Sequence, residues 1–519
     1  MADKSRTRNS MVNLASGFLY RMAVTLSGFV VRSVFVHYLS TDYLGINGLY
    51  SNILSMLSLA DLGFGTAMNF CLYKPLAQKD NSKLIQLLAL YKRVYAIVGT
   101  VIFVAGISLV PFLDVLVKDT PDIDGLTLYY ILYLLDSCMS YWFFAYRNSL
   151  ISADQKAYIV SNYQTAFTLI KSVLQIILLA VFHNFTVYLL TQIACTAAQN
   201  TALAIKAGKM YPVFGKKNRE SLPEDEKKAI FRNVGALSLN RIAHVALNGT
   251  DSMIISAFIG VRWVGLLSNY SIIAESITGI LTQITGAMTS SLGNFFAKED
   301  SEDGYQMFHR IVFLNYWLYG FSFVAFITLL NPFVTVWLGE AYVLSQAIVI
   351  AIAINFFVAG VMNTLWTFRS TLGLFAQGKY RPLIVAIINI VLSICLSYRW
   401  GVFGVLIATS ISRACVNLWY DPWLIHREGF HRSVKPFFHT YLKRMVLLVA
   451  IAGLMRLISC AVFRDGITIW NFAVMVFITG AVPNAILVLI YHKTDEYQYF
   501  RGLMLDILRK GTGMLRGMR

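Results

Sequence analysis

Apolar runs of roughly 20 residues recur from one end of this chain to the other. That property leaves few folds open. A run of that length matches the hydrocarbon thickness of a bilayer, where every backbone N–H and C=O must find its partner inside the protein. Only helices and closed barrels meet that demand. Barrel strands alternate apolar and polar residues over about ten positions, and nothing here alternates. Of the 519 residues, 57% are hydrophobic and only 14% are charged, against roughly 25% charged in soluble domains. The expected fold is therefore an all-α polytopic membrane protein.

Fourteen spans are expected, centred near residues 24, 57, 102, 138, 169, 195, 245, 276, 320, 356, 388, 410, 450 and 480. An even count puts both termini on one side. With the N-terminus in the cytoplasm, 34 of the 44 Lys and Arg fall in inner segments. Four fall in outer loops (Lys118, Arg262, Arg399 and Arg464) and six lie within spans. That bias fixes the orientation and accounts for the net charge of +17 without nucleic acid: the inner loops face an anionic leaflet. The basic start MADKSRTRNS precedes a long apolar segment with two arginines and no small-residue cleavage site, so no cleavable signal peptide is expected.

No loop is long enough to fold into a soluble catalytic domain. The six cysteines are scattered and suit packing, the eight histidines have no metal-site spacing, and no Walker motif occurs. No metal and no cofactor are expected. A membrane-embedded polysaccharide polymerase or ligase would call for acid–base groups on an outer loop. The acidic outer loop, with Asp114, Asp119, Asp122 and Asp124, has no His or Arg to serve with them.

The chain also contains itself twice. Shifted by 220 residues, positions 13–80 lie on 233–300 without a gap, with 13 identities in 68 positions. Asn13 meets Asn233, Arg21 meets Arg241, and Gly45 meets Gly265. The period holds six spans, an even number, so the copies share one orientation. Transporters built on parallel repeats bind substrate between the two halves. The expected parts are an N-lobe over 1–206, a linker over 207–230, a C-lobe over 231–420, and two extra spans with a basic tail over 421–519. The two lobes are expected to surround a central cavity.

Polar stripes mark the lining of such a cavity. The first span has Gly17, Arg21, Thr25, Gly28 and Arg32 on one helical face, and its repeat copy has Arg241, Asn248 and Ser252, with His244 beside them. Arg21 and Arg32 stand about 16 Å apart along that face. The second span has Asn47, Ser51, Ser55 and Ser58, with Asp61 next, and the eighth has Ser271, Glu275, Thr278 and Thr282. A charge at mid-bilayer costs at least about 2.5 kcal/mol, which a water-filled cavity removes. Lys171, central in the fifth span, belongs with this set. Structural pairing, Arg21 with Asp61 or Arg241 with Glu275, is the competing account. Arg32, Arg413 and Arg456 lie near span ends, where snorkelling suits them. Asp136 and Asp251 serve equally as counter-ions or coupling sites. An excess of Arg and Lys suits an anionic ligand, since Arg offers phosphate two parallel hydrogen bonds.

The stretch YLGINGLYSNILSMLSLADLGFGTAMNFCLYKPLAQKD, residues 43–80, resembles the second helix and following inner loop of bacterial oligosaccharide flippases. These are the Wzx-like members of the multidrug/oligosaccharidyl-lipid/polysaccharide (MOP) exporter superfamily. TDSMIISAFIGVRWVGLLSNYSII (250–273) and NPFVTVWLGEAY (331–342) resemble further segments of that family, although Leu267 stands where members often have Tyr. The resemblance covers most of residues 10–420 at low identity. It implies two six-helix lobes, alternating access, and transfer of a polyprenyl-pyrophosphate-linked oligosaccharide to the outer leaflet for surface polysaccharide assembly. It also implies a bacterial cytoplasmic membrane location, membrane lipids as partners, and a polysaccharide polymerase with its chain-length machinery as neighbours. The fourteen spans further resemble the peptidoglycan-precursor flippases of the superfamily. Cavity Arg and Lys hold the pyrophosphate and sugar acids in that family, and Arg21, Arg241 and Lys171 are the positions here that match. With no nucleotide motif, H+, Na+ or the membrane potential is the expected drive, with Asp61, Glu275 and Asp251 as coupling candidates. A multidrug exporter of the same superfamily is the near alternative; such sites more often hold acids for cationic drugs.

Overall fold

In the computed structural model the described residues are 2–58, 64–117, 123–144, 146–215, 222–296, 301–374, 377–378 and 380–505. They form seventeen α-helices. In chain order these are α1 Ala2–Tyr38, α2 Thr41–Leu57, α3 Phe64–Gln78, α4 Asn81–Ser108, α5 Leu113–Leu116, α6 Leu126–Trp142, α7 Tyr146–Ala153, α8 Ala157–Phe182 and α9 Phe185–Met210. There follow α10 Glu224–Phe258, α11 Val261–Phe296, α12 Ser301–Leu338, α13 Gln346–Thr371, α14 Arg381–Arg413, α15 Tyr420–Leu424, α16 Lys435–Val462 and α17 Ile469–Tyr491. No strand occurs among the described residues. Nine helical stretches there are long and apolar enough to cross a bilayer. The protein is an all-α, multi-pass membrane protein.

The expected span centres fall on these helices, with two informative departures. The span expected near residue 57 meets the end of α2, α3 begins at Phe64, and residues 59–63, Asp61 included, lie outside the described set. The spans expected near 388 and 410 both lie within α14, which reverses at Gly401. Asn389 donates from Nδ2 to Thr409 Oγ1 at 2.9 Å. Twenty residues of straight helix would separate that pair by about 30 Å, so the two arms lie side by side. Gly401 has φ 55° and ψ −137°, a backbone that glycine alone adopts readily.

Two compact units make up the chain, Met1–Ser268 and Asn269–Arg519. In the first, α1 packs along α8, α8 on α9, α6 on α4 and α9, and α10 on α2 and α3. Asn13, about three turns into α1, ties that helix to the start of α8: its Nδ2 donates to the Gln155 carbonyl at 3.0 Å and its Oδ1 accepts from the Tyr158 amide at 2.7 Å. In the second unit α12 is the hub, packed against α13, α16 and α17. The last two spans are braced to it by polar contacts. Trp317 Nε1 donates to Asn484 Oδ1 at 2.8 Å, and Arg310 pairs with Asp495 at 2.8 Å. Arg444, buried beside Phe313 and Tyr316, reaches Glu496 at 3.2 Å.

Candidate functional site

Three basic groups of the first unit, Arg21, Arg32 and Lys171, stand on two packed helices. On α1, Arg21 is exposed and Arg32 half-buried; on α8, Lys171 is half-buried. Beside Gly17, at the start of the same stripe, there is open space: an added Cβ would meet nothing within 4 Å. Among the described residues none of Arg21, Arg32 and Lys171 forms an ion pair. Arg32 donates from Nη1 to Ser268 Oγ at 3.1 Å and lies within electrostatic reach of Tyr133 and Tyr188. Lys171 interacts in the same way with Cys195 of α9. A cation on a lipid-depth helix without a carboxylate is costly. It is retained where water or an anion can reach it.

Uncharged groups extend this polar region. Asn47 Oδ1 accepts from the Tyr133 hydroxyl, and Asn52 Nδ2 donates to Ser252 Oγ at 2.9 Å. Asp136 Oδ2 accepts from Gln192 Nε2 at 2.7 Å, while its Oδ1 is buried with no hydrogen-bond partner among the described residues. Asp136 and Arg32 both lie within electrostatic reach of Tyr133. Sequence reading singled out Asn47 but not its link to Tyr133, 86 residues away.

The other expected site residues are distributed as follows. Arg241 and Asn248 lie on the backbone of α10, with their side chains outside the described set, so the expected apposition of Arg21 and Arg241 also falls outside it. Asp251 is half-buried on α10, one residue before Ser252. Glu275 is exposed on α11 in the second unit. On that helix Thr278 donates to the Ala274 carbonyl at 2.8 Å and Thr282 to the Thr278 carbonyl at 2.8 Å. Their hydroxyls are thus satisfied by their own helix. Arg413 and Arg456 are half-buried in α14 and α16.

Sequence reasoning missed a buried charge cluster in the second unit. Asp421 accepts from Arg369 at 3.1 Å and from Arg381 at 2.6 Å, and all three side chains are buried. Arg369 also donates to the Leu374 carbonyl at 3.1 Å and to the Gln377 carbonyl. Arg381 donates to the Val416 carbonyl at 2.7 Å and Asn417 Oδ1 at 2.6 Å, and stacks 3.9 Å from the Tyr420 ring centroid. Carbonyls at helix ends thus share the excess positive charge with the one carboxylate. Arg381 Nε is buried without a partner among the described residues, but the other bonds tie the three side chains into a structural clamp.

No protein-family model and no curated protein matches the chain. Solved structures do match its fold. The lipid II flippase MurJ, in an inward closed conformation, superposes with a TM-score of 0.62 at 14% identity, over 94% of this chain and 99% of that one. A mutant of the Vibrio cholerae MATE transporter VcmN matches with a TM-score of 0.54 at 13% identity, over 82% of this chain and 98% of that one. An inward-facing multidrug-resistance MATE transporter of the MOP superfamily matches with a TM-score of 0.52 at 14% identity, over 79% and 96%. The chain therefore has the fold of the MOP-superfamily transporters.

Proposed function

We propose that this chain flips a lipid-linked oligosaccharide, carried on a polyprenyl pyrophosphate, from the inner to the outer leaflet by alternating access. The observation that carries the reading is the set of Arg21, Arg32 and Lys171 on packed helices with no carboxylate in ion-pair contact among the described residues. Such a set binds an anion. Guanidinium groups offer a pyrophosphate paired, charge-assisted hydrogen bonds. Arg241 and Asn248, at the repeat positions, complete the proposed site. The MurJ likeness supports a lipid-linked cargo, since that protein is a lipid II flippase. Export of a cationic drug is the second reading, and the MATE likeness favours it. Proteoliposomes discriminate the two. Flipping of a fluorescent polyprenyl-pyrophosphate oligosaccharide, without efflux of a cationic dye, is expected; the opposite result overturns the proposal.

The location proposed is the bacterial cytoplasmic membrane, with both termini inside. Reporters fused at residue 218 and at the C-terminus should be cytoplasmic, and one at residue 122 should be external. An external signal at 218 would overturn both the orientation and the parallel repeat. An ion gradient or the membrane potential drives transport, with Asp61, Asp251 and Glu275 as coupling groups for H+ or Na+. Flipping in vesicles with collapsed gradients should fall to background. Undiminished flipping there would rule out the coupled mechanism. A polysaccharide polymerase and its chain-length machinery are the proposed recipients of the cargo.

A further inference from the structure

The internal repeat makes a contact with itself. A Cβ placed on Gly265 would come within 2.7 Å of both the Thr41 carbonyl oxygen and the Gly45 nitrogen, and a Cβ placed on Gly45 would collide with the Val261 carbonyl oxygen. Thr41 and Val261 are repeat equivalents, as are Gly45 and Gly265, each pair separated by the 220-residue shift. Each copy thus presses its glycine against the same backbone carbonyl of the other. That is the geometry of a local twofold contact, in which the same patch is used from both sides. Next along the seam, Gly48 faces Val264, and Val264 is buried.

Two hydrogen bonds flank this contact, and both join one repeat to the other. Arg32 reaches Ser268 at 3.1 Å, and Asn52 reaches Ser252 at 2.9 Å. Ser252 is the repeat copy of Arg32, and Ser268 is the copy of Gly48, one turn from Asn52. The bonds are therefore near-mirror uses of the same positions. Ser256 adds a third link, donating to the Leu116 carbonyl at 2.7 Å. Backbones that meet without side chains between them leave no gap for water or a headgroup.

We propose that the Gly45–Gly265 contact is the closed outer gate of the transport path, latched by Arg32–Ser268 and Asn52–Ser252. Residues 41–48 lie at the end of α2 that the charge bias assigns to the outside. The gate opens by parting two matched glycine faces. Arg32 is freed when it does, so an anionic group of the cargo that takes the guanidinium from Ser268 also loosens the latch. This deepens the alternating-access reading and rests on it.

The test is a labelling rate, read apart from transport. Val264→Cys places a nearly isosteric thiol in the seam, and modification by an impermeant maleimide added outside is quantified at that peptide by mass spectrometry. With both glycines intact the thiol should be protected. Gly265→Leu should wedge the seam and raise labelling about tenfold or more, and Gly45→Leu should do the same from the other side. Asn52→Ala should raise it by a smaller factor. Lys83→Ala, which breaks the Lys83–Glu226 pair at the other end of α10, should not raise it. Equal labelling with and without either wedge would overturn the gate, as would a thiol labelled freely while both glycines are in place. Agreement of the two reciprocal wedges separates gating from a local folding defect. Labelling that behaves as expected beside cargo that is not flipped would overturn the assigned substrate and leave the gate standing.

Discussion

Arg21→Ala should cut flipping at least tenfold while the protein still inserts and accumulates. The side chain is exposed on an apolar helix and has no ion pair among the described residues. Its removal therefore leaves no partner stranded among the described residues. On the proposed function, what is lost is paired hydrogen bonding to the pyrophosphate, at roughly 1.5–3 kcal/mol per bond to a charged group, and about 1.4 kcal/mol corresponds to a factor of ten in rate. Arg21→Lys keeps the charge without the fork and should be partly active. If Arg21 serves only to neutralise Asp61, then Arg21→Ala combined with Asp61→Ala should restore flipping. Full rescue would refute both the substrate role of Arg21 and the coupling role of Asp61; pyrophosphate-lipid binding that is lost in Arg21→Ala but kept in Asp61→Ala alone upholds the substrate role. The readout is flipping in proteoliposomes at matched protein content.

The largest stability effect belongs to Asp421→Ala. That change leaves Arg369 and Arg381 buried without their shared carboxylate, and breaking a buried pair by removing one partner costs about 3–5 kcal/mol. A marked drop in the unfolding temperature in detergent and a lower yield are expected. Asp421→Asn keeps an acceptor but not the charge and should fall between. Replacing all three together by Met, Met and Leu removes the buried charge altogether and should recover much of the loss. If Asp421→Ala unfolds at the same temperature as the unaltered protein, the cluster is not a clamp.

How legible each feature was depended on whether its cause was local. Apolar length and charge bias are properties of contiguous residues, so the helices and the multi-pass architecture could be read directly. The repeat was visible because Gly45 and Gly265, or Arg21 and Arg241, share a fixed offset. Side-chain partners were not visible. Asp421 lies 52 residues from Arg369 and 40 from Arg381. In sequence all three look like ordinary charges of inner segments, and nothing periodic joins them. Asn47 stood out on its stripe, but nothing in the sequence joined it to Tyr133, 86 residues away. On α11, Thr278 and Thr282 bond their own helix. A hydroxyl that satisfies the backbone has the same spacing as one that faces water.

The long contact of α1 with α8 has a consequence for how the protein is made. Tyr38 and Ala157 are separated by about 120 residues of chain, and ribosomes add roughly 5–20 residues per second. The first span therefore waits between about 6 and 25 seconds before the helix it packs along has been made. Through that interval it carries Arg21 and Arg32 without the wall of α8 beside it, and Asn13 has neither Gln155 nor Tyr158 to hold. α1 enters the bilayer first and settles late. Slowing synthesis between residues 38 and 157 prolongs the one stage at which these arginines are most exposed to lipid, and the yield of inserted protein should fall with the length of the pause.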